Sequence, residues 1–434
     1  MLIKKSLLKN SLTLFSLRTD KFKTGIMTFT LTVPLDKDTY ANALLLSGLL
    51  RRGTKKFRTM AKINRRLDEL YASCVEIRSS IIKNSLLIIF TAEFLDDRYT
   101  VNDVDILDGI IEIVSEMILF PNIDNESFDN RIVEQELNFV RDSLKAEKNN
   151  TRAYAATKCN EIINRNNSCY PTINGLLSQV DEMSSKSIYE YYKYVLSVSS
   201  LDVFYIGNCD MNTVSEKVQK YFSAFSGKNA KCDSIKKYEL PKDFISQKEA
   251  LPVSQSKLAL GFDTGIDISS PDYYSVLLLN EIFGGSSSSK LFINVRERMN
   301  ICYYCSSSYS IYSGVILVSC GINSANYNRA RDAIFNQLKE IQNGNVDEQE
   351  LLNAKKSLEN CYIQIYDNPL EIQAFYGGRS VLGIYEDIDA CRAKISEVTL
   401  DDIVAASKKI KCIAEFLVEG TSDCKEINEE EYDD

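Results

Sequence analysis

Residues 12–17 and 24–33 alternate apolar with polar positions, a period of two that predicts two β-strands. The period then lengthens. Residues 40–54, YANALLLSGLLRRGT, hold a long apolar run and predict a buried helix, with Arg51, Arg52 and Gly53 as its basic last turn and stop. A second helix over 60–71 leads into a strand pair, 73–79 and 86–93, followed by a helix over 104–118 and a break at Pro121. Residues 126–147 predict a long helix whose apolar stripe is Ile132, Val133, Leu137, Val140 and Leu144. Helices over 153–163, 180–195 and 213–222 follow, with a strand at 201–207.

Residues 226–240 have no apolar period and predict a linker. After it the plan returns. A strand at 257–263 precedes a helix at 273–285, whose Leu277, Leu278 and Leu279 match Leu44, Leu45 and Leu46 at an offset of 233 residues. The stretch NVRERMNICYYCSSSYSIYSGVILVSCGIN then parallels INRRLDELYASCVEIRSSIIKNSLLIIFTAE. Segments starting at Val180 and Ile395 match as well, each with a hydroxyl that caps the next helix, Ser184 and Thr399, and each followed by a short strand ending in glycine. Four matched blocks in one order imply an internal duplication. The expected fold class is α+β, with two homologous domains, each an antiparallel β-sheet with helices packed on one face. The expected boundaries are residues 1–225 and 247–425, with a linker at 226–246 and an acidic tail at 426–434.

A chain of 434 residues, 44% hydrophobic and 26% charged, is long enough for two such cores. The net charge of −9 argues against a nucleic-acid partner, and the one short basic cluster, Arg51, Arg52, Lys55, Lys56 and Arg58, is expected to be a solvated helix end. There is no run of 18 apolar residues, so no membrane span or membrane partner is expected. Near the start, Lys9, Asn10, Arg18 and Asp20 interrupt the apolar run that a signal peptide needs, and a cytoplasmic location is expected. The twelve cysteines are scattered, several of them, such as Cys320, inside apolar strand-like runs that predict free buried thiols. Cys302 and Cys305 form a C-x-x-C, but in an extended strand residues three apart point to opposite faces, so no shared metal is expected there.

Histidine is absent altogether, which removes the commonest metal ligand and general base. On the 40–54 helix, positions 44, 47 and 48 share one face at the spacing that lets side chains serve one ligand. Leu44, Ser47 and Gly48 bring to that face an aliphatic chain, a hydroxyl and a hydrogen, which neither bind a metal nor move a proton efficiently.

The duplicated arrangement resembles the M16 family of pitrilysin, insulinase and mitochondrial processing peptidase over nearly the whole chain. The resemblance implies a LuxS/MPP-like metallohydrolase fold and two halves closing around a chamber. Active members carry H-x-x-E-H, in which two His hold zinc and the Glu activates water, followed by an apolar stretch ending in Gly-Thr. Counted back from Gly53 and Thr54, the three motif positions fall on Leu44, Ser47 and Gly48, so an inactive member with a degenerate motif is implied. The family's third ligand is a downstream helical Glu, which RIVEQELNFVRD places at Glu136 as a lone ligand-like position. No cofactor is expected in this chain, and zinc only in a partner subunit. In the second domain, GGSSSSKLFINVRERMNICYYCSSSYS resembles the family's turn, helix and strand, and places the Arg and Tyr of substrate-binding members at Arg296 and Tyr303. A guanidinium holds a peptide carbonyl by forked donors, and a phenol hydrogen-bonds a developing oxyanion. Gly284 and Gly285 precede four serines, one of which is expected to cap the next helix.

The resemblance thus implies a non-catalytic subunit that pairs with an active H-x-x-E-H paralogue, helps form a peptide-binding chamber and offers Arg296 and Tyr303 in trans to an extended peptide substrate. A narrower resemblance is to the YfmF-like proteins associated with the 5-aminopentanol modification of elongation factor P. The alternatives are a purely structural M16-fold protein, as in the core subunits of the respiratory bc1 complex, and a free-standing peptide-binding protein; homodimer and heterodimer are both open.

Overall fold

Each sheet takes its last strand into its interior. In the computed structural model, which describes residues 3–8, 11–101, 104–228 and 239–421, the first sheet comprises β1 (Lys4–Leu7), β2 (Leu12–Arg18), β3 (Thr24–Pro34), β4 (Cys74–Ile82), β5 (Ser85–Leu95) and β6 (Ser200–Gly207). Their order is β1-β2-β6-β3-β5-β4, with β6 parallel to β2 and antiparallel to β3. The second sheet comprises β7 (Ile245–Leu251), β8 (Ser256–Asp263), β9 (Cys302–Ser310), β10 (Val315–Ile322) and β11 (Lys411–Gly420), in the order β7-β11-β8-β10-β9. Here β11 is parallel to β7 and antiparallel to β8. Strand for strand, β2, β6, β3, β5 and β4 correspond to β7, β11, β8, β10 and β9, so the duplication expected from sequence is present as topology. Each sheet contains one parallel pair, a departure from the antiparallel expectation. The pair exists because β6 and β11 return only after a run of helices long enough for a crossover.

The chain divides into two compact units, one formed by Met1–Lys145, Ser168–Lys237 and Ile363–Ile388, the other by Ala146–Asn167, Tyr238–Tyr362 and Asp389–Asp434. Neither is a single stretch of sequence, unlike the expected 1–225 and 247–425. The Thr151–Ile163 helix, from the first half, lies in the second unit on β8 and β11. There the Tyr154 ring meets Phe416 edge-on at 6.2 Å, and Ile163 Cδ1 fills the space that a side chain at Gly261 would need. The Pro369–Val381 helix, from the second half, lies in the first unit against β3 and β6. Apolar periodicity identifies a helix but not the sheet it covers, so this exchange has no local signal. The expected linker at 226–246 falls largely on 229–238, outside the described residues, while Ile245 already opens β7. The acidic tail at 426–434 also lies outside them.

In the first unit β3 is buried along nearly its whole length, because both of its faces are covered. Met27, Phe29, Leu31 and Val33 meet helical residues of the same half of the chain, among them Leu45, Leu46, Ile110 and Val114. On the first sheet Phe15 and Phe204 stack at 4.4 Å, and Tyr385 from the exchanged segment stacks on Phe15 at 6.2 Å. Each large side chain buried in this way contributes roughly 1.5–3 kcal/mol.

The helix expected at 40–54 runs only over Thr39–Leu49. Leu50 caps it and the chain turns through Arg51 and Arg52, since the Thr54 N–H is committed to Phe57 O and the Lys55 N–H to Phe120 O, both at 2.8 Å. The basic residues therefore stand beyond the helix. The segment expected as one helix at 180–195 is broken at Met183, giving separate helices at Ile173–Glu182 and Ser185–Val198. Ser184 and Thr399 cap as the sequence predicts, each accepting from the N–H three residues on, in reciprocal boxes with Ser187 and Asp402. No described helix is long and apolar enough to cross a membrane.

Candidate functional site

On the Thr39–Leu49 helix, Leu44 packs against an apolar cluster of Ala41, Val140, Leu144, Leu176 and Val180. Ser47 turns back on its own backbone: its Oγ donates to Ala43 O at 2.7 Å and stands 3.0 Å from Ser79 Oγ on β4. Gly48 lies against Glu136. A Cβ on residue 48 would overlap Glu136 Oε2 and stand 2.9 Å from its Cδ, so the carboxylate occupies space that only a glycine leaves open. Glu136 is 5% exposed, and its Oε1 accepts from Arg52 Nε in an ion pair. A carboxylate taken out of water needs a counter-charge, and the guanidinium supplies one with directed donors.

This donor set does not fit a catalytic zinc ion. Such a site needs about three protein ligands, whereas Leu44, Ser47 and Gly48 contribute none and Glu136 is already paired. Among the described residues no group of three or more Cys, Asp or Glu side chains is arranged to hold a metal. The basic cluster is correspondingly not a free helix end. Besides Arg52, Lys56 pairs with Glu112, and Arg58 Nη1 donates to Asn122 Oδ1 at 3.2 Å.

The repeat offset puts Leu277, Asn280 and Glu281 of the second unit in the places of Leu44, Ser47 and Gly48. Here the carboxylate belongs to the helix itself. Glu281 is buried and accepts from Ser357 Oγ at 2.6 Å, while Asn280 Oδ1 accepts from Ser307 Oγ at 2.8 Å. Both copies close the same helix face with one internally bonded carboxylate, contributed from opposite sides.

Arg296 lies on the π-helical segment Leu291–Arg298, with its guanidinium 4.6 Å from the Phe292 ring centre and Nε 3.5 Å from Glu297 Oε1. An exposed ion pair of this kind is weak, so the side chain is steered rather than locked. Tyr303 on β9 is half exposed. Ahead of them, Ser289 Oγ accepts from Phe292 N–H at 3.4 Å, while the Leu291–Arg298 segment itself starts at Lys290 without a side-chain cap. Gly284 admits β9 closely, since a Cβ there would stand 2.7 Å from Ser307 N.

The start of β9 overturns the expectation for Cys302 and Cys305. Cys302 opposes Ile322 while Tyr304 opposes Gly321, which leaves Tyr303 as an extra residue in a bulge. The bulge reverses the side-chain alternation, so both cysteines are buried instead of pointing to opposite faces. Cys320, the direct cross-strand partner of Cys305, is buried beside them. The same bulge turns Tyr303 outward.

Sequence reasoning missed one further feature. A groove of about 280 Å3 lies in the first unit between β4 and β5, which contribute Cys74, Glu76, Arg78, Thr91 and Glu93, and the exchanged Pro369–Val381 helix. β4 is the edge strand of its sheet. Its legible signal is the alternating exposure of 74–78, but the helical wall comes from almost 300 residues away.

Residues 182–358 match the family model described as the peptidase M16 inactive domain. Over 412 residues, 94% of this chain and 96% of the relative, the sequence is 28% identical to the probable inactive metalloprotease YmfF of Bacillus subtilis (strain 168). The name YmfF stands where the resemblance drawn from sequence had YfmF-like. Among solved structures, a conserved protein from Enterococcus faecalis V583 is similar with a TM-score of 0.88 at 24% identity, covering 97% of this chain and 99% of that one. A peptidase M16 inactive domain from Pseudomonas fluorescens is similar with a TM-score of 0.78 at 13% identity, with the same coverage of each chain. At those identities the solved structures speak to the fold alone.

Proposed function

We propose that this chain is an M16-type protein whose metal position is filled by its own side chains, and that it serves as a non-catalytic subunit beside an active H-x-x-E-H paralogue. The observation that carries this reading is the contrast between two helix–strand regions. Glu136, Gly48 and Arg52 close the position where catalysis would sit, whereas Arg296 and Tyr303 face solvent on the second unit. The hydrolytic chemistry then belongs to the partner, and this chain binds and orients.

An extended peptide adds as a strand to the open edge of β4, where unpaired backbone groups bond it and the neighbouring groove takes alternate side chains. Arg296 holds a peptide carbonyl through forked N–H donors, and the Tyr303 O–H donates to the carbonyl oxygen as charge gathers there. Holding the peptide in one register converts a two-body encounter into a positioned one. The working compartment is the cytoplasm, with which the buried thiols Cys302, Cys305 and Cys320 are compatible.

The test is co-expression with the active paralogue and substitution of Arg296→Ala and Tyr303→Ala. Peptide cleavage by the intact complex falls by about tenfold to a hundredfold for each if these groups act on the substrate. Cleavage that stays unchanged while the complex remains assembled rejects the role in trans and leaves a structural scaffold. A complex that never forms, with peptide still bound by the isolated chain, identifies a free-standing peptide-binding protein.

A further inference from the structure

Cys305 on β9 and Cys320 on β10 are direct antiparallel partners. Such partners have Cα atoms about 4.5–5.5 Å apart, inside the roughly 4.4–6.8 Å span that a disulfide bridges. Cys302, the first residue of β9, is brought to their face by the bulge at Tyr303 and is buried beside them. It is also the most accessible of the three, 8% exposed against 2% for Cys305 and 0% for Cys320. S–H donation from Cys305 and Cys320, together with the nearby Arg296 guanidinium, holds the Cys302 thiol well below the usual thiol range. Bonding to Cys302 and burial push Cys305 and Cys320 the other way. One nucleophilic sulfur thus stands against two thiols that keep their protons.

We propose that Cys302, Cys305 and Cys320 form a peroxide-oxidation site, in which Cys302 at the strand's start is the reacting sulfur and the cross-strand pair Cys305–Cys320 is the disulfide produced. The Cys302 thiolate attacks one oxygen of hydrogen peroxide; the O–O bond breaks, leaving a sulfenic acid, and the departing hydroxide takes a proton to become water. The thiol of Cys320 or Cys305 then attacks the sulfenic sulfur, the S–O bond breaks, and hydroxide leaves as water with the displaced thiol proton. The third thiol gives its proton to solvent and attacks its neighbour's bridged sulfur; the S–S bond to Cys302 breaks, which returns Cys302 as a thiolate and joins Cys305 to Cys320. Two thiols lose two electrons and one peroxide becomes two waters. The product pins β9 to β10 beside the bulge that carries Tyr303, and a thiol reductant reverses it. None of this depends on the subunit role proposed above.

The test uses the full-length chain with the exposed Cys74 and Cys361 replaced by serine. The reduced protein is treated with hydrogen peroxide, blocked with iodoacetamide and mapped by mass spectrometry after proteolysis. The expected product is a peptide pair joined through Cys305 and Cys320 and separated by dithiothreitol. Cys302→Ser slows its formation by about tenfold or more, with an unchanged circular dichroism spectrum. Formation at the parent's rate in Cys302→Ser, or three thiols still open to alkylation after unfolding at doses that oxidise free glutathione, overturns the proposal. Where Cys302→Ser does not fold, the pH dependence of iodoacetamide labelling at Cys302 in the parent decides. A titration below the ordinary thiol value supports the proposal, and one at about 8.5 overturns it.

Discussion

Gly48 and Glu136 are in direct apposition: the carboxylate of one helix rests where a side chain of the other would be, and Arg52 neutralises it. The pairing fills the space between the two helices with a neutralised carboxylate. A glycine makes room for the acid, and a guanidinium four residues later supplies the positive charge.

Gly48→Ala therefore forces either the Glu136 carboxylate away from Arg52 or the two helices apart. The expected cost is about 1–3 kcal/mol, read from urea denaturation midpoints. In a Glu136→Ala background the same change should cost far less, because the overlap is gone. Equal effects in both backgrounds would mean that the apposition is not what constrains residue 48.

Arg52→Ala leaves a buried carboxylate without its counter-charge. Because the Arg52 side chain is about one-third exposed, 35%, the expected loss sits below that of a fully buried pair, at roughly 1–3 kcal/mol. Glu136→Gln added to Arg52→Ala should recover part of it, which a double-mutant cycle measures. A chain restored to Leu44→His, Ser47→Glu and Gly48→His should take up zinc, measured by atomic emission, better with Arg52→Ala than with Arg52 present.

Asp202 on β6 makes stability fall with rising pH. Burial pushes its carboxyl up to about 6, although a Thr13 hydrogen bond and the charge of Lys5 pull the other way. The folded carboxyl holds its proton more tightly than the unfolded one, whose pKa is about 3.9. Its contribution is therefore complete below about pH 4 and is lost as pH rises through about 6. Asp202→Asn should match the parent near pH 4 and exceed it by about 1–3 kcal/mol at pH 7–8. A stability difference that does not change between those pH values would rule Asp202 out as the source.

Glu415 on β11 is the buried acid of the second sheet. Its carboxylate accepts from Arg331 Nε at 2.7 Å, Tyr327 O–H at 2.5 Å and Ser246 O–H at 2.9 Å. Arg331→Ala should cost about 2–4 kcal/mol and Tyr327→Phe about 1 kcal/mol in chemical denaturation. Arg331→Ala with parental stability would show that the network contributes no net stabilisation.

Local chemistry made much of this protein legible in its sequence. Alternation and helical period marked most strands and helices of the first half, matched blocks revealed the duplication, and Ser184 and Thr399 announced their caps. The lack of histidine, with Leu44, Ser47 and Gly48 on one face, leaves that face without metal-binding side chains. What fills the space beside it was not legible. Glu136 is legible from its sequence context, but its partner Arg52 reads locally as a helix end, because an ion pair across 84 residues has no local period. The bulge at Tyr303, which gathers Cys302, Cys305 and Cys320, comes from a register shift against β10 that neither strand encodes alone. The exchange of the Thr151–Ile163 and Pro369–Val381 helices likewise depends on which sheet face each apolar stripe finds. Sequence by itself determined the elements, their repetition and the missing chemistry, since these rest on interactions a few residues apart. Only the tertiary structure decided partners, register and what fills the space beside Gly48, since these depend on which distant surfaces bury each other.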